Sequence, residues 1–142
     1  MDFHKFWLET ALRASKQSTF PSYKMAAILV KGKAVLSIGL NRFTPAGVID
    51  IRYDDKRVHA ELDAILGKDI GLLAGSVLYV AGTTKSGAVL KYTAPCRRCR
   101  GLLQDMQLKA VYYFKEYDQI GCWHIGEEFV PLSSNPRRPG DY

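Results

Sequence analysis

Apolar residues recur at helical spacing in the first part of the chain. The positions that carry this pattern are Phe3, Phe6, Trp7, Ala11 and Ala14. Their spacing predicts an amphipathic helix over residues 2–16 that covers one side of a sheet, and we expect its aromatic side chains to be core residues. The polar stretch STFPSY then ends the helical pattern.

Two apolar runs follow at residues 24–31 and 34–40, joined by Gly32 and Lys33. This arrangement predicts a β-hairpin. Residues 41–56 contain proline, glycine and charged residues without a sustained period, and we interpret them as a long loop. Loops of this length in compact domains usually have a function.

The second half of the chain alternates between helix and strand patterns. Val58, Leu62 and Ile65 mark a helix that ends near Gly67. The remaining predicted elements are a strand at 76–82, a loop at 83–94, a helix that Pro95 opens and a strand at 110–114. Both strands are continuous apolar runs, which is typical of strands buried on both faces. Because parallel strands need helical crossovers, the order predicts an α/β fold with a mixed sheet and helices on its faces.

Length and composition restrict the class of protein. A chain of 142 residues with 47% hydrophobic and 24% charged residues fits one globular domain, which we place at residues 1–132, followed by a surface tail at 133–142. The longest apolar run has six residues, against roughly 20 for a membrane span. The N-terminus does not resemble a secretion signal, so we expect a cytoplasmic protein.

Cysteine usage and charge narrow the chemistry further. Three cysteines argue against a disulfide framework and in favour of free thiols or thiolates. The net charge of +6 favours anionic partners, a free nucleotide as readily as a nucleic acid.

The stretch APCRRCRGLLQDM places two cysteines at the start of a predicted helix. Cys96 and Cys99 are three positions apart, so both sulfurs lie on one side of the first turn. Pro95 suits the first helical position, where its missing N–H would have no partner in any case. The helix N-terminus and three neighbouring arginines favour the thiolate over the thiol.

Three interpretations of these cysteines compete. A redox pair would be expected near the N-terminus of a thioredoxin-like fold, which does not match. A closed structural zinc site could use Cys96, Cys99, Cys122 and His124, but Cys122 and His124 are more simply a buried thiol and a strand histidine. The favoured interpretation is a catalytic zinc site with ligands His59, Cys96 and Cys99 and a water in the fourth position.

The stretch RVHAELDAIL supplies the remaining group of that site. Metal coordination makes a water nucleophilic at neutral pH, and the non-ligand carboxylate of Glu61 can then move protons. Fully helical residues two apart diverge by about 200 degrees. His59 and Glu61 can therefore share one site only if His59 occupies the non-helical cap of the helix.

At these residues the sequence resembles the zinc-dependent cytidine and deoxycytidylate deaminase superfamily. The signature H-x-E followed by P-C-x-x-C is present as His59-Ala60-Glu61 and Pro95-Cys96-Arg97-Arg98-Cys99. The resemblance covers roughly residues 20–117 and is strongest to the deoxycytidylate branch. It implies a three-layer α/β/α fold with a central mixed five-stranded sheet.

The resemblance also implies the residues of the site. It makes His59, Cys96 and Cys99 the ligands of one zinc ion and Glu61 the proton shuttle. The implied substrate contacts are Asn41 with the sugar, Ala27 and Ala60 with the pyrimidine, and Tyr117 beside the site. Members of the family commonly form homo-oligomers, so we expect one here.

The last strand and the basic residues bear on the choice of substrate. Too few residues separate Phe114 from the apolar run at 120–125 for a crossover, so we expect that strand to be antiparallel, as in the nucleoside deaminases. A phosphate is well matched by basic side chains, and those near the expected pocket are Lys24, Arg42, Arg52, Lys56 and Arg57. We therefore prefer a free nucleotide, dCMP. The alternatives are a nucleoside, a polynucleotide, which is not favoured, and a zinc-stapled binding module without turnover.

Overall fold

The computed structural model describes residues 3–43, 57–116 and 119–130. The helices are α1 (Phe3–Ser15), α2 (Ala60–Ile65), α3 (Ile70–Leu73) and α4 (Arg97–Asp105). The strands are β1 (Tyr23–Lys31), β2 (Ala34–Leu40), β3 (Arg42–Phe43), β4 (Arg57–Val58), β5 (Val77–Thr84), β6 (Ala110–Lys115) and β7 (Gln119–His124). The predicted tail at 133–142 lies outside these residues, so the domain boundary stays a prediction.

Five of the strands form one mixed sheet in the order β2-β1-β5-β6-β7. Strands β5 and β6 are parallel, and every other neighbouring pair in this sheet is antiparallel. The antiparallel pairing of β7 with β6 confirms the predicted direction of the last strand. Helix α4 lies between the parallel strands in sequence, as a crossover requires.

The two faces of the sheet are covered by different helices. Helix α1 packs on one face against side chains of β1, β5 and β6. Helices α2 and α4 pack on the opposite face, where the larger core cluster lies. This arrangement confirms the predicted three-layer α/β/α fold. In the described part of the chain, no helix has the length and apolarity that a membrane span requires.

Two of the three aromatic residues of α1 are not the core residues that the sequence predicted, whereas Trp7 packs against the core cluster on this face. Phe3 is 58% exposed, Phe6 is 46% exposed, and Trp7 is only partly buried. The fully buried side chains of the helix include Leu8 and Ala11 instead. The helix is amphipathic as expected, but its sheet-facing stripe is rotated away from Phe3 and Phe6.

Several element boundaries differ from the predicted ones. Strand β5 continues to Thr84 because Thr83 and Thr84 pair with the start of β1, so the predicted loop begins later. Helix α2 ends at Ile65 rather than near Gly67. The sequence analysis did not identify the short helix α3, whose N-cap is Asp69; the Asp69 side chain accepts a hydrogen bond from the Gly71 N–H.

Helix α2 packs directly on the backbone of β2 at Gly39. A Cβ atom at this position would lie 2.2 Å from the carbonyl oxygen of Ala60 and 2.4 Å from the backbone nitrogen of Ala64. No side chain fits between the strand and the helix here. The absence of a side chain at position 39 therefore sets how close α2 lies to the sheet.

Gly39→Ala should lower the free energy of unfolding by about 3 kcal/mol, because both clashing atoms belong to backbone that cannot rotate away. The matched control is Gly101→Ala in α4, where a Cβ meets nothing within 4 Å. That control should stabilise the helix by up to about 1 kcal/mol. Urea unfolding measures both, and equal midpoints for the two variants would contradict the close packing.

Candidate metal centre

His59 is the N-cap residue of α2. Its backbone is extended, with φ −73° and ψ 150°, and the helix begins at the next residue, Ala60. Glu61 lies in the first helical turn and is only 4% exposed. The predicted non-helical cap for His59 is confirmed. Because its backbone is not helical, His59 does not follow the helical spacing that would turn it away from Glu61.

The two motif cysteines lie at the start of α4. Cys96 is the N-cap, and its carbonyl oxygen accepts a hydrogen bond from the Arg100 N–H at 2.9 Å. Cys99 lies in the first turn and is buried, as is Cys96. Pro95 precedes the cap, so the prediction that it opens the helix was early by two residues, because the extended backbone of Cys96 takes the cap position.

Thr93 anchors the segment that leads into these cysteines. Its Oγ1 donates to the Val80 carbonyl at 2.7 Å and accepts from the Phe114 N–H at 2.9 Å. The Thr93 N–H donates to the Phe114 carbonyl at 2.9 Å. Thr93 thus bridges β5 and β6 just beyond Val80 and Tyr113, their last paired residues. The sequence analysis missed this role, since the only signal is a small polar residue shortly before the cysteine motif.

The histidine and the two cysteines converge on one point. The Nδ1 atom of His59 lies 3.4 Å from Cys96 Sγ and 3.5 Å from Cys99 Sγ. A zinc ion bonded tetrahedrally to one nitrogen and one sulfur holds these two atoms about 3.6 Å apart. The donor types and separations therefore fit zinc. Among the described residues, no fourth His, Cys, Asp or Glu belongs to this group.

The charge state of the cysteines suits a metal ligand. Hydrogen bonding from Cys99, joined by the hydrogen bond and charge of His59, lowers the pKa of the Cys96 thiol to about 3. Burial acts in the opposite direction but does not outweigh these contacts. These contacts therefore favour the thiolate of Cys96 over the thiol, and the thiolate is the form that binds metals.

Cys122 and His124 do not belong to this group. They lie on β7, where Cys122 pairs with Tyr112 and Trp123 points to the opposite face. Trp123 packs in the core cluster of α2 and α4, whereas Tyr112 packs with α1. The closed four-ligand zinc site considered from the sequence is therefore wrong. So is the expectation of a buried thiol, because Cys122 is exposed.

Asn41 and Lys24 lie at the same end of the sheet as the cysteines. Asn41 is 4% exposed, and its Oδ1 accepts hydrogen bonds from the Met25 N–H at 2.8 Å and from Ser18 Oγ at 2.6 Å. Its Nδ2 donates to the Tyr23 carbonyl at 3.0 Å. Lys24 Nζ donates to the Ser18 carbonyl. Ser18, which the sequence analysis did not single out, thus connects both predicted substrate residues.

The predicted pyrimidine-contacting residues are in the interior. Ala27 of β1 is fully buried, and Ala60 at the start of α2 is 1% exposed. Both belong to the core cluster between the sheet and α2. Their small side chains let α2 approach the sheet closely beside Glu61.

The structure describes only some of the other predicted substrate-binding residues. Arg42 forms an ion pair with Asp63 of α2, at 2.9 Å between Nη2 and Oδ1. Arg57 belongs to the short strand β4, which pairs with β3. The other predicted positions, Arg52, Lys56 and Tyr117, lie outside the described residues.

Known proteins share both the sequence motif and the fold. The family sequence model described as the cytidine and deoxycytidylate deaminase zinc-binding region matches residues 1–115. A protein of Caenorhabditis elegans named probable deoxycytidylate deaminase is 28% identical, over 82% of this chain and 59% of the relative. The chain therefore spans about three fifths of the length of this curated relative.

Solved structures of deaminases are similar to this fold. The dCMP deaminase of cyanophage S-TIM5, in complex with dCMP and dUMP, superposes with a TM-score of 0.59 at 25% identity, covering 82% of this chain and 85% of that one. The cytidine deaminase of Mycobacterium leprae superposes with a TM-score of 0.51 at 18% identity, covering 81% and 88%. Together with the match over residues 1–115, the arrangement of His59, Cys96 and Cys99 shows that the chain belongs to the cytidine and deoxycytidylate deaminase family.

Proposed function

We propose that the protein catalyses the zinc-dependent hydrolytic deamination of cytosine on a free deoxycytidine nucleotide, converting dCMP to dUMP and ammonia. The observation that carries this proposal is the convergence of His59 Nδ1 with the sulfurs of Cys96 and Cys99, next to a helix whose first turn holds the buried Glu61. Three protein ligands and one open position are the composition of a catalytic zinc site.

His59, Cys96 and Cys99 would hold one zinc ion per chain. When bound, zinc supplies a Lewis acid that makes water nucleophilic at neutral pH. The chain itself supplies the rigid frame: the ligands lie at the caps and first turns of α2 and α4, and Thr93 fixes the segment before Cys96.

Glu61 moves the protons of the reaction. Water adds to C4 of cytosine, and Glu61 takes one proton from it and delivers that proton to N3. Glu61 then passes the second proton, from the new hydroxyl group, to the exocyclic amino group. The C4–N bond breaks, ammonia leaves and the C4 carbonyl of uracil forms. General acid–base groups work best when they are held close to the reacting atoms. The buried position of Glu61 in the first turn of α2 restricts its movement and so suits this role.

The proposed substrate contacts surround this centre. Ala27 and Ala60 would border the pyrimidine, and Asn41 would hydrogen-bond the sugar, since the contacts described above use one of its two Nδ2 hydrogens. Lys24 and the basic residues of the segment after β3 would bind the phosphate. Tyr117 beside the site stays a prediction.

Turnover of dCMP should exceed turnover of deoxycytidine by at least tenfold in kcat/KM, because a phosphate meets charge-assisted hydrogen bonds that a nucleoside lacks. The measurement compares ammonia release from dCMP, deoxycytidine, dCTP and a cytosine-containing single strand under one set of conditions. Lys24→Met should reduce this preference without lowering zinc content.

Faster turnover of deoxycytidine than of dCMP would contradict the choice of substrate. It would favour the nucleoside alternative, with which the antiparallel direction of β7 is also consistent. Preference for the single strand would indicate a polynucleotide deaminase, and no ammonia from any substrate would indicate a binding module.

A homo-oligomer, a cytoplasmic location and a single deaminase domain at residues 1–132 remain part of the proposal. Sedimentation equilibrium of the zinc-loaded protein tests the first of these. A mass above the 15.9 kDa of one chain is expected.

A further inference from the structure

Asp63 of α2 ties the end of β2 to the helix that carries Glu61. Its Oδ1 accepts from Arg42 Nε at 3.0 Å and from Arg42 Nη2 at 2.9 Å. Its Oδ2 accepts from the Leu40 N–H at 3.0 Å. One carboxylate therefore contacts the residue before Asn41 and the residue after it.

Asp63 is also connected to the candidate metal centre, through its backbone. The Asp63 N–H donates to the His59 carbonyl at 3.0 Å, which closes the first turn of α2 around Glu61. Helix α2 has only six residues, so it has little stability of its own. Its position is set by contacts with β2: the backbone approach at Gly39, a hydrogen bond from Ser37 Oγ to the Ala64 carbonyl at 2.6 Å, and Asp63.

The sequence predicted Arg42 as a phosphate contact, but its observed contacts are with Asp63. Its guanidinium directs Nε and Nη2 at Asp63, and the side chain as a whole is 36% exposed. A guanidinium held by a carboxylate is already neutralised in part and gains less from a second anion. The contacts therefore favour a structural task for Arg42 over recognition of the substrate's phosphate.

We propose that Arg42 and Asp63 are positioning residues that hold Asn41 and Glu61 in one fixed arrangement, so that the sugar contact and the proton shuttle act on the same bound substrate. This inference rests on the proposed function, because it assigns a role within that reaction. In this inference Arg42 holds helix α2 in place through Asp63 and does not bind the phosphate of the substrate.

The test compares Arg42→Gln, Asp63→Asn and the double variant with the zinc-loaded wild-type protein, using dCMP and deoxycytidine as substrates. We expect kcat to fall about tenfold in each single variant, equally for both substrates. The kcat of the double variant should be no lower than that of the more impaired single variant, because both substitutions remove the same ion pair. Arg42→Lys, which retains the charge, should recover part of kcat.

Hydrogen exchange supplies a readout that does not depend on activity. Amide exchange in peptides covering residues 36–43 and 57–66 should accelerate in Arg42→Gln and Asp63→Asn. Arg13→Gln on α1, whose guanidinium contacts Thr10, is the matched control and should leave this exchange unchanged.

A phosphate role for Arg42 predicts a different pattern. Arg42→Gln would then raise KM for dCMP alone, and Asp63→Asn would keep the wild-type kcat, and this result would overturn the inference. Unchanged exchange in both peptides would also overturn it. If the wild-type protein deaminates neither substrate, the proposed function fails, whereas accelerated exchange would still show that the pair fixes α2.

Discussion

Glu61→Gln should lower kcat for dCMP deamination by about 10³-fold while zinc content and fold are retained. General acid–base groups contribute roughly 10²- to 10⁴-fold, and Glu61 is proposed to act in two successive proton transfers. The substitution keeps the shape of the side chain and removes only its ability to take a proton. Because an uncharged amide is less costly to bury than a carboxylate, thermal stability should be equal to or above that of the wild type.

The matched control for this variant is Glu9→Gln, which makes the same chemical change on the exposed surface of α1. Its kcat should equal that of the wild type. Ammonia release, zinc analysis and thermal unfolding of both variants complete the comparison. Retention of even a tenth of the wild-type kcat by Glu61→Gln would exclude Glu61 as the proton shuttle.

Cys99→Ser should reduce bound zinc from one per chain to near zero and abolish turnover. Cys99 Sγ lies 3.5 Å from His59 Nδ1, so its removal leaves two ligands, too few for a stable tetrahedral site. The variant should also unfold at a lower temperature, because metal binding to the folded state stabilises it. Metal analysis after dialysis and thermal unfolding with and without added zinc measure these effects.

Cys122→Ser is the control that distinguishes the two zinc sites considered from the sequence. Cys122 is exposed on β7, on the α1 side of the sheet, so its replacement should change neither zinc content nor turnover. Loss of zinc in Cys122→Ser would contradict this arrangement and restore the closed four-ligand site.

The convergence of His59, Cys96 and Cys99 was predictable from sequence because its signal is local. His59 and Glu61 lie within three residues, and Cys96 and Cys99 within four, each set at the start of an apolar helical pattern. Helix caps impose a known geometry on such short spacings. The one long-range inference was that the two helix starts lie together. It followed from the three protein ligands that a catalytic zinc site requires.

Helix α1 shows why apolar periodicity did not identify which side chains of this helix are buried. The stripe that faces the sheet runs through Leu8, Ala11 and Ser15, and His4 extends it by stacking on Tyr112 at 3.9 Å. Two of these residues are polar, so hydrophobicity selected the neighbouring phenylalanines instead. A hydrogen bond at 2.8 Å between His4 Nδ1 and the Tyr79 hydroxyl satisfies the histidine, and no sequence pattern reveals such a partner.

The surroundings of the centre depend on contacts between distant positions. Arg42 and Asp63 are 21 residues apart, and Asn41 reaches Ser18 across 23 residues. These pairs depend on the register between β1 and β2 and on where α2 packs on the sheet. Both are properties of the tertiary structure. From sequence, Arg42 was therefore identified only as a positive charge near the expected pocket.

Zinc K-edge X-ray absorption of the purified, zinc-loaded protein identifies the atoms that coordinate the metal. We expect one zinc per chain with two sulfur ligands at about 2.3 Å, one imidazole nitrogen at about 2.0–2.1 Å and one further light atom from solvent. A shell of three or four sulfurs, a second imidazole, or a fourth ligand from the protein would contradict the open position on which the proposed reaction depends.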